Sequence, residues 1–407
     1  MALTTLQQFL AYRATSIRAY VPFLLYFLES KGLSLTQVFD LNVVFVLASL
    51  FLELPSGMYA DRFGRRNAMV LAGVLMALAC GSFVLGHGFA AFALANVFCA
   101  ASMTLNTSAD SAWLFEYMNA HNDSERYQQF EGYSTAAKSV GNLFAMLLAG
   151  LLYSVVSWGP FALTAALTVS SAALARRLPE QRAPKPSHSA LRELRRTLGR
   201  VSSSSELLLV IAFGALTFTV LQLSLFVDPA HLALHLRGFS LAEIALAVAV
   251  LSASKELFTA LASLSLWPIL ERVKIGRVVV GLAACAVTSF VLMGRMHDGL
   301  CIATMLLIAG LFGVFQPLVR RLLNTAIEDS EHRATMFSVE STSRRVVFAL
   351  ASALFGRAAE SSTLHSAFRA TAWIAAICYG LVAMGALGWL RFLRKTPKQK
   401  DPLLSYL

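Results

Sequence analysis

The sequence predicts an all-α polytopic membrane protein with twelve transmembrane helices in two pseudo-symmetric six-helix halves. Three observations carry this expectation. The 407 residues are 57% hydrophobic and only 14% charged, whereas a soluble domain has about 25% charged residues. Apolar runs of about 20 residues, long enough to cross roughly 30 Å of hydrocarbon, recur along the chain; barrel strands would be about half that length. Basic residues also collect in alternate loops, as they do when those loops stay on the cytoplasmic side.

The spans fall near 6–28, 36–58, 67–86, 89–117, 132–154, 159–176, 206–228, 240–267, 277–295, 299–323, 335–356 and 367–391. Residues 1–176 form the expected N-terminal half and 206–393 the C-terminal half, with a basic linker at 177–205 and a tail at 394–407. Arg62, Arg65 and Arg66 follow span 2, Arg272, Lys274 and Arg277 follow span 8, and Arg391, Arg394 and Lys395 follow span 12. That bias puts both termini in the cytoplasm, and the expected location of this multi-pass chain is the plasma (inner) membrane. It also accounts for the net charge of +11 through topology and anionic headgroups, without nucleic acid. The first run carries Arg13 and Arg18 and has no small-residue cleavage site, so a removable signal peptide is not expected. Cys80, Cys99, Cys285, Cys301 and Cys378 lie in apolar segments without metal spacing and read as small buried hydrophobes.

An offset of 207 residues places Arg126 on Arg333, Ser134 on Ser341, Thr135 on Thr342 and Lys138 on Arg345. The chain therefore reads as two homologous halves with a cation at equivalent points. Between spans 2 and 3 stands GMYADRFGRR, with Gly57, Asp61, Arg62, Gly64, Arg65 and Arg66 at constrained positions. Glycine allows a tight turn there, and the arginines anchor the loop to headgroups or acids. The stretch resembles the signature of the major facilitator superfamily, in its bacterial branch. ELPSG at 53–57 and SADSAWLFE at 108–116 are similar to further elements of that branch. The resemblance implies a cytoplasmic gate in which Asp61, Arg62 and Glu116 form a charge relay that latches the halves. Span 4 lacks the family's Arg-x-x-x-Gly element, and span 5 lacks the Gly-Pro pair of drug/proton antiporters.

Charges inside the spans are the candidate site. A lysine at bilayer depth costs roughly 2.5–3.5 kcal/mol on insertion scales, so each needs a partner, water or a function. Lys138 lies roughly 8 Å inside span 5, on a stripe with Ser134, Gly141, Asn142 and Ala145 that faces neighbouring helices or a cavity. Snorkelling, an ion pair with Asp110 and a ligand contact all remain open for it. Arg18 is too deep in span 1 to snorkel. Lys255, Gln316, Arg320 and Arg345 complete the candidate substrate-binding set, with an ion pair open for Lys255 and a gating or headgroup role open for Arg320 and Arg345. Asp110 is the expected proton carrier because burial favours the neutral acid. Cations outnumber acids, so a small anionic organic solute bound near the midplane is the expected cargo of a secondary active transporter working by alternating access. Efflux of amphipathic drugs or lipids is the alternative, and a non-transporting membrane sensor a further one. With no nucleophile–base pair, phosphate loop or metal cluster in the sequence, neither enzymatic activity nor a cofactor is expected. The expected partners are the bilayer, a small-molecule substrate and a coupling proton, with the chain as a monomer.

Overall fold

The computed structural model describes residues 4–121, 126–180, 204–235, 238–295, 300–326 and 333–395. The expected linker and tail lie almost wholly outside these residues. The elements are α1 (Thr5–Thr15), a 3-10 turn (Val21–Phe23), α2 (Leu24–Ser30), α3 (Leu35–Phe63), α4 (Arg65–Leu85), α5 (Gly88–Ala120), α6 (Tyr127–Val155) and α7 (Gly159–Arg176). There follow α8 (Ser205–His235), α9 (Leu241–Arg272), α10 (Ile275–Met293), α11 (Leu300–Ala326), α12 (Arg333–Ser361) and α13 (Leu364–Lys395). Among the described residues, 9 helices are long and apolar enough to cross a membrane. The other three expected spans are also helical: α7, the charge-bearing α12, and a first span that is interrupted.

That interruption is the main departure from the expected architecture. Instead of one helix over 6–28, α1 stops at Thr15 and the chain runs irregularly until the 3-10 turn at Val21. Pro22 accounts for the break, because it supplies no N–H for the α-helical bond to the Arg18 carbonyl, which accepts from the Val21 N–H at 3.4 Å instead. Irregular backbone survives at membrane depth only where it is buried in protein or lines a polar cavity. Beyond the break, aromatic packing holds the chain. Tyr20 stacks on Phe161 at 5.0 Å and Phe23 on Tyr153 at 4.9 Å, while Phe27 meets Phe161 at 4.4 Å.

The described residues fall into two compact units. The first contains α1 to α7 together with α9 up to Glu256, although Leu241–Glu256 lies within the stretch expected to belong to the second half. In this unit α4 packs on α5 and α7, and α3 packs on α5. Its core at the end of α1 stacks Phe9 on Trp113 at 5.0 Å and Trp113 on Tyr117 at 5.1 Å. Small residues permit the tightest helix approaches. A side chain at Gly141 of α6 would strike the backbone of Ala14 in α1, and one at Gly73 of α4 would strike Thr168 and Ala172 of α7.

The second unit is built from α8, α9 from Leu257, and α10 to α13. In it α8 packs on α11, α12 and α13, and α10 packs on α13 and α11. Gly313 of α11 lies against the Thr259 carbonyl, whose own side chain donates to Ala309 O at 2.9 Å. The cysteines are mixed: Cys80, Cys99 and Cys301 are buried as expected, Cys378 is half-buried, and Cys285 is exposed. The reading of Cys285 as a buried hydrophobe is therefore corrected; it sits on an outward face of α10.

Gly141→Val should cost about 1–3 kcal/mol through overpacking against Ala14, measured as a lower thermal midpoint in detergent. Gly281→Ala, which meets no atom within 4 Å, should hold or slightly raise that midpoint.

Candidate solute-binding cavity

The break in the first span opens onto a cavity of about 310 Å³ inside the first unit. Three walls are set by helical periodicity. On α6, Lys138, Asn142 and Met146 are four residues apart and share one face. On α5, Met103, Asn106, Thr107 and Asp110 form a matching stripe. The irregular segment contributes Ser16, Ile17 and Arg18, and α9 contributes Glu256.

Two side chains of α5, one turn apart, grip the end of α1. Asn106 accepts from Tyr12 OH at 2.7 Å and donates to Ser16 Oγ at 3.1 Å. Asp110 forms an ion pair with Arg13 and accepts from the Ser111 N–H at 2.7 Å. The partner of Asp110 is thus Arg13 and not Lys138. Arg13 was missed as a site residue; its signal was its own position two turns inside an apolar run, where a cation requires an acid.

With Asp110 committed to Arg13, no carboxylate among the described residues closes an ion pair with Arg18 or Lys138, and no cation closes one with Glu256. Lys138 is exposed to the cavity, while Arg18, Asn142 and Glu256 are half-buried along its walls. Among the described residues, main-chain acceptors are also lacking for the N–H groups of Arg18, Ala19 and Tyr20. Lys255 is not part of the cavity wall; its neighbour Glu256 takes that place. Neither Glu256 nor Asn106 was assigned to the site from the sequence.

The GMYADRFGRR motif folds into a second cluster of the same unit. Gly64 ends α3 and begins α4 with φ of 95°, a conformation that favours glycine, and a side chain there would run into Glu180. Gly57, in contrast, has no atom within 4 Å of where a side chain would begin. Arg65 bridges Asp61 at 2.8 Å and Glu116 at 3.2 Å, and also donates to Ser108 O at 3.3 Å. The arginine that bridges the two acids is therefore Arg65, and the side chain of Arg62 is exposed over the Phe63 ring. Glu180, another missed residue, accepts from the Arg66 N–H at 3.2 Å and pairs with the Arg66 side chain at 3.0 Å. It caps the electropositive N-terminus of α4.

In the second unit, the ion pair of α12 joins Arg344 to buried Glu340 at 2.8 Å, one helical turn away. The Arg344 guanidinium lies over Phe218 at 5.1 Å and Phe315 at 6.0 Å from the ring centres. Arg345, the expected counterpart of Lys138, is half-buried next to it; Gln316 is half-buried on α11 and Arg320 exposed.

A broken first span, a charged cavity and a motif-bearing turn between α3 and α4 define a helical membrane protein of the solute-carrier type. The chain belongs to the Major Facilitator Superfamily, whose model matches residues 4–352. A search of curated protein sequences gives no match. Among solved structures, a point mutant of the nucleoside transporter NupG covers 94% of this chain and 100% of its own, with TM-score 0.81 and 12% identity. A bacterial homologue of the human lysosomal transporter Spinster, inward-facing and unoccupied, gives TM-score 0.67 at 17% identity, covering 94% of this chain and 95% of its own. A D-xylose–proton symporter gives 0.63 at 16%, covering 92% and 94%. At these identities the likeness is one of fold.

Arg65→Gln should destabilise the protein by about 1–3 kcal/mol, because it leaves Glu116 half-buried without its cation. Arg62→Gln should change the melting midpoint in detergent by less than about 0.5 kcal/mol equivalent.

Proposed function

We propose that this protein is a secondary active transporter that moves a small anionic organic solute across the inner membrane by alternating access, with both termini cytoplasmic. The observation that carries the reading is the pair of cations, Arg18 and Lys138, that face one cavity without a carboxylate closed on either. A cation held at that depth is costly unless a ligand brings the countercharge. Asn142, on the same wall one turn from Lys138, adds an amide donor to the two cations. Known members of the fold named above include transporters of nucleosides and of a sugar with a proton, which supports transport rather than catalysis for this chain.

Asp110 is the proposed proton carrier. Its proton would release Arg13 and with it one of the two grips on the end of α1, so proton binding and the shape of the broken span would be linked. Lys255, Gln316, Arg320 and Arg345 stay as proposed contacts for other stages of the cycle, and the Asp61–Arg65–Glu116 cluster as the proposed cytoplasmic gate.

A second reading has one observation in its favour. Met76, Met103 and Met146 line the same cavity, and methionines suit loosely specified apolar ligands. Efflux of amphipathic compounds would use that surface, with the cations serving the protein alone.

Arg18→Gln combined with Lys138→Gln should abolish uptake of the anionic solute into proteoliposomes while the protein remains folded and monodisperse. Undiminished flux in that double variant, or stabilisation of wild type by hydrophobic cations and not by organic anions, would favour the efflux reading. Asp110→Asn should remove the dependence of flux on a pH gradient; a retained dependence takes Asp110 out of the coupling mechanism.

A further inference from the structure

The proposed function leaves one cavity group unexplained. A site for a plain anion has no use for a carboxylate, yet Glu256 stands on the wall that also holds Arg18 and Lys138. Lys138 acts on Glu256 electrostatically without closing an ion pair with it among the described residues. Glu256 is only half-buried, so its carboxylate is open to a ligand. Apart from Asp110, which is held by Arg13, the walls thus present two positive groups and one negative group, none of these three closed in a salt bridge among the described residues. Asn142, one turn from Lys138, adds an amide with no hydrogen bond to any described residue, able to donate and to accept.

We propose that the cavity recognises a solute carrying an ammonium group together with two units of negative charge, and that Glu256 receives the ammonium. The inference rests on the reading of an anion transporter and narrows its substrate class. Arg18 and Lys138 take the anionic end or ends, as two carboxylates or one phosphate, and Glu256 opposes the amine. A ligand of net charge −1 makes the three-charge site neutral once bound. Glu256 also acts as a discriminator: a dicarboxylate of the same size without an amine meets a like charge there, which is how specificity is built against a near relative. The volume of about 310 Å³ admits such a compound with some water, since a water in the liquid occupies roughly 30 Å³.

The test uses the full-length protein in detergent and two matched pairs of probes, read by thermal shift and by isothermal titration. The first pair is L-glutamate and glutarate; the second is phosphoethanolamine and ethyl phosphate. Wild type should bind the ammonium-bearing member of at least one pair about tenfold more tightly than its partner, the size expected for one charge-assisted hydrogen bond. Glu256→Gln should bring that ratio close to one, and Glu256→Asp should restore part of it. Which pair shows the preference separates carboxylate from phosphate as the anionic group. Equal binding within both pairs, or a preference that survives in Glu256→Gln, overturns the assignment of Glu256 and leaves the anion transporter standing. Should none of the four probes stabilise wild type while hydrophobic cations do, both the assignment and the anion reading fall. If Glu256→Gln does not fold, the ratio measured in wild type still decides whether the ammonium is recognised.

Discussion

The grip of α5 on the end of α1 is the contact from which the rest of the site follows. Asn106 and Asp110 are one turn apart, and between them they hold Tyr12, Arg13 and Ser16. Those contacts fix the end of α1, and the irregular residues that follow, Ser16, Ile17 and Arg18, line the cavity. They also use up the carboxylate of Asp110. The charge of Lys138 is left for the cavity because Arg13, and not Lys138, has the acid.

The two units treat their cations differently. On α6, Gly141 brings the helix against the Ala14 backbone and turns Lys138 and Asn142 toward open space. On α12, Arg344 is neutralised by Glu340 one turn earlier and covered by two phenylalanines. A desolvated arginine over aromatic rings and paired with a buried acid is a structural element of its own helix bundle.

Much of this was legible in the sequence, for identifiable reasons. Span length and charge bias are properties of single segments, and the helices of α3 to α13 fall where those properties put them. The turn at Gly64 was legible too, because a signature with spaced glycines and arginines encodes local geometry. Pairing was not legible. Arg13 with Asp110, Arg65 in place of Arg62 between Asp61 and Glu116, and Glu180 on Arg66 all join residues far apart in the chain or choose between adjacent arginines. A one-residue shift rotates a helical side chain by about 100°, which periodicity over a short loop does not resolve. The break at Ser16–Tyr20 did have a signal in Pro22, but an apolar run of full length outweighed it.

The C-terminal end of the first helical bundle is fastened at two adjacent points. Pro179 O accepts from the Trp113 indole N–H at 2.9 Å, and Glu180 is bound to Arg66. Whatever pull the following chain exerts is therefore delivered to α5 and to the start of α4, and not to the exposed end of α7. A cut or an inserted domain placed after Glu180 would begin from an anchored stump, so the N-terminal bundle keeps its own terminus even when the chain beyond it is severed.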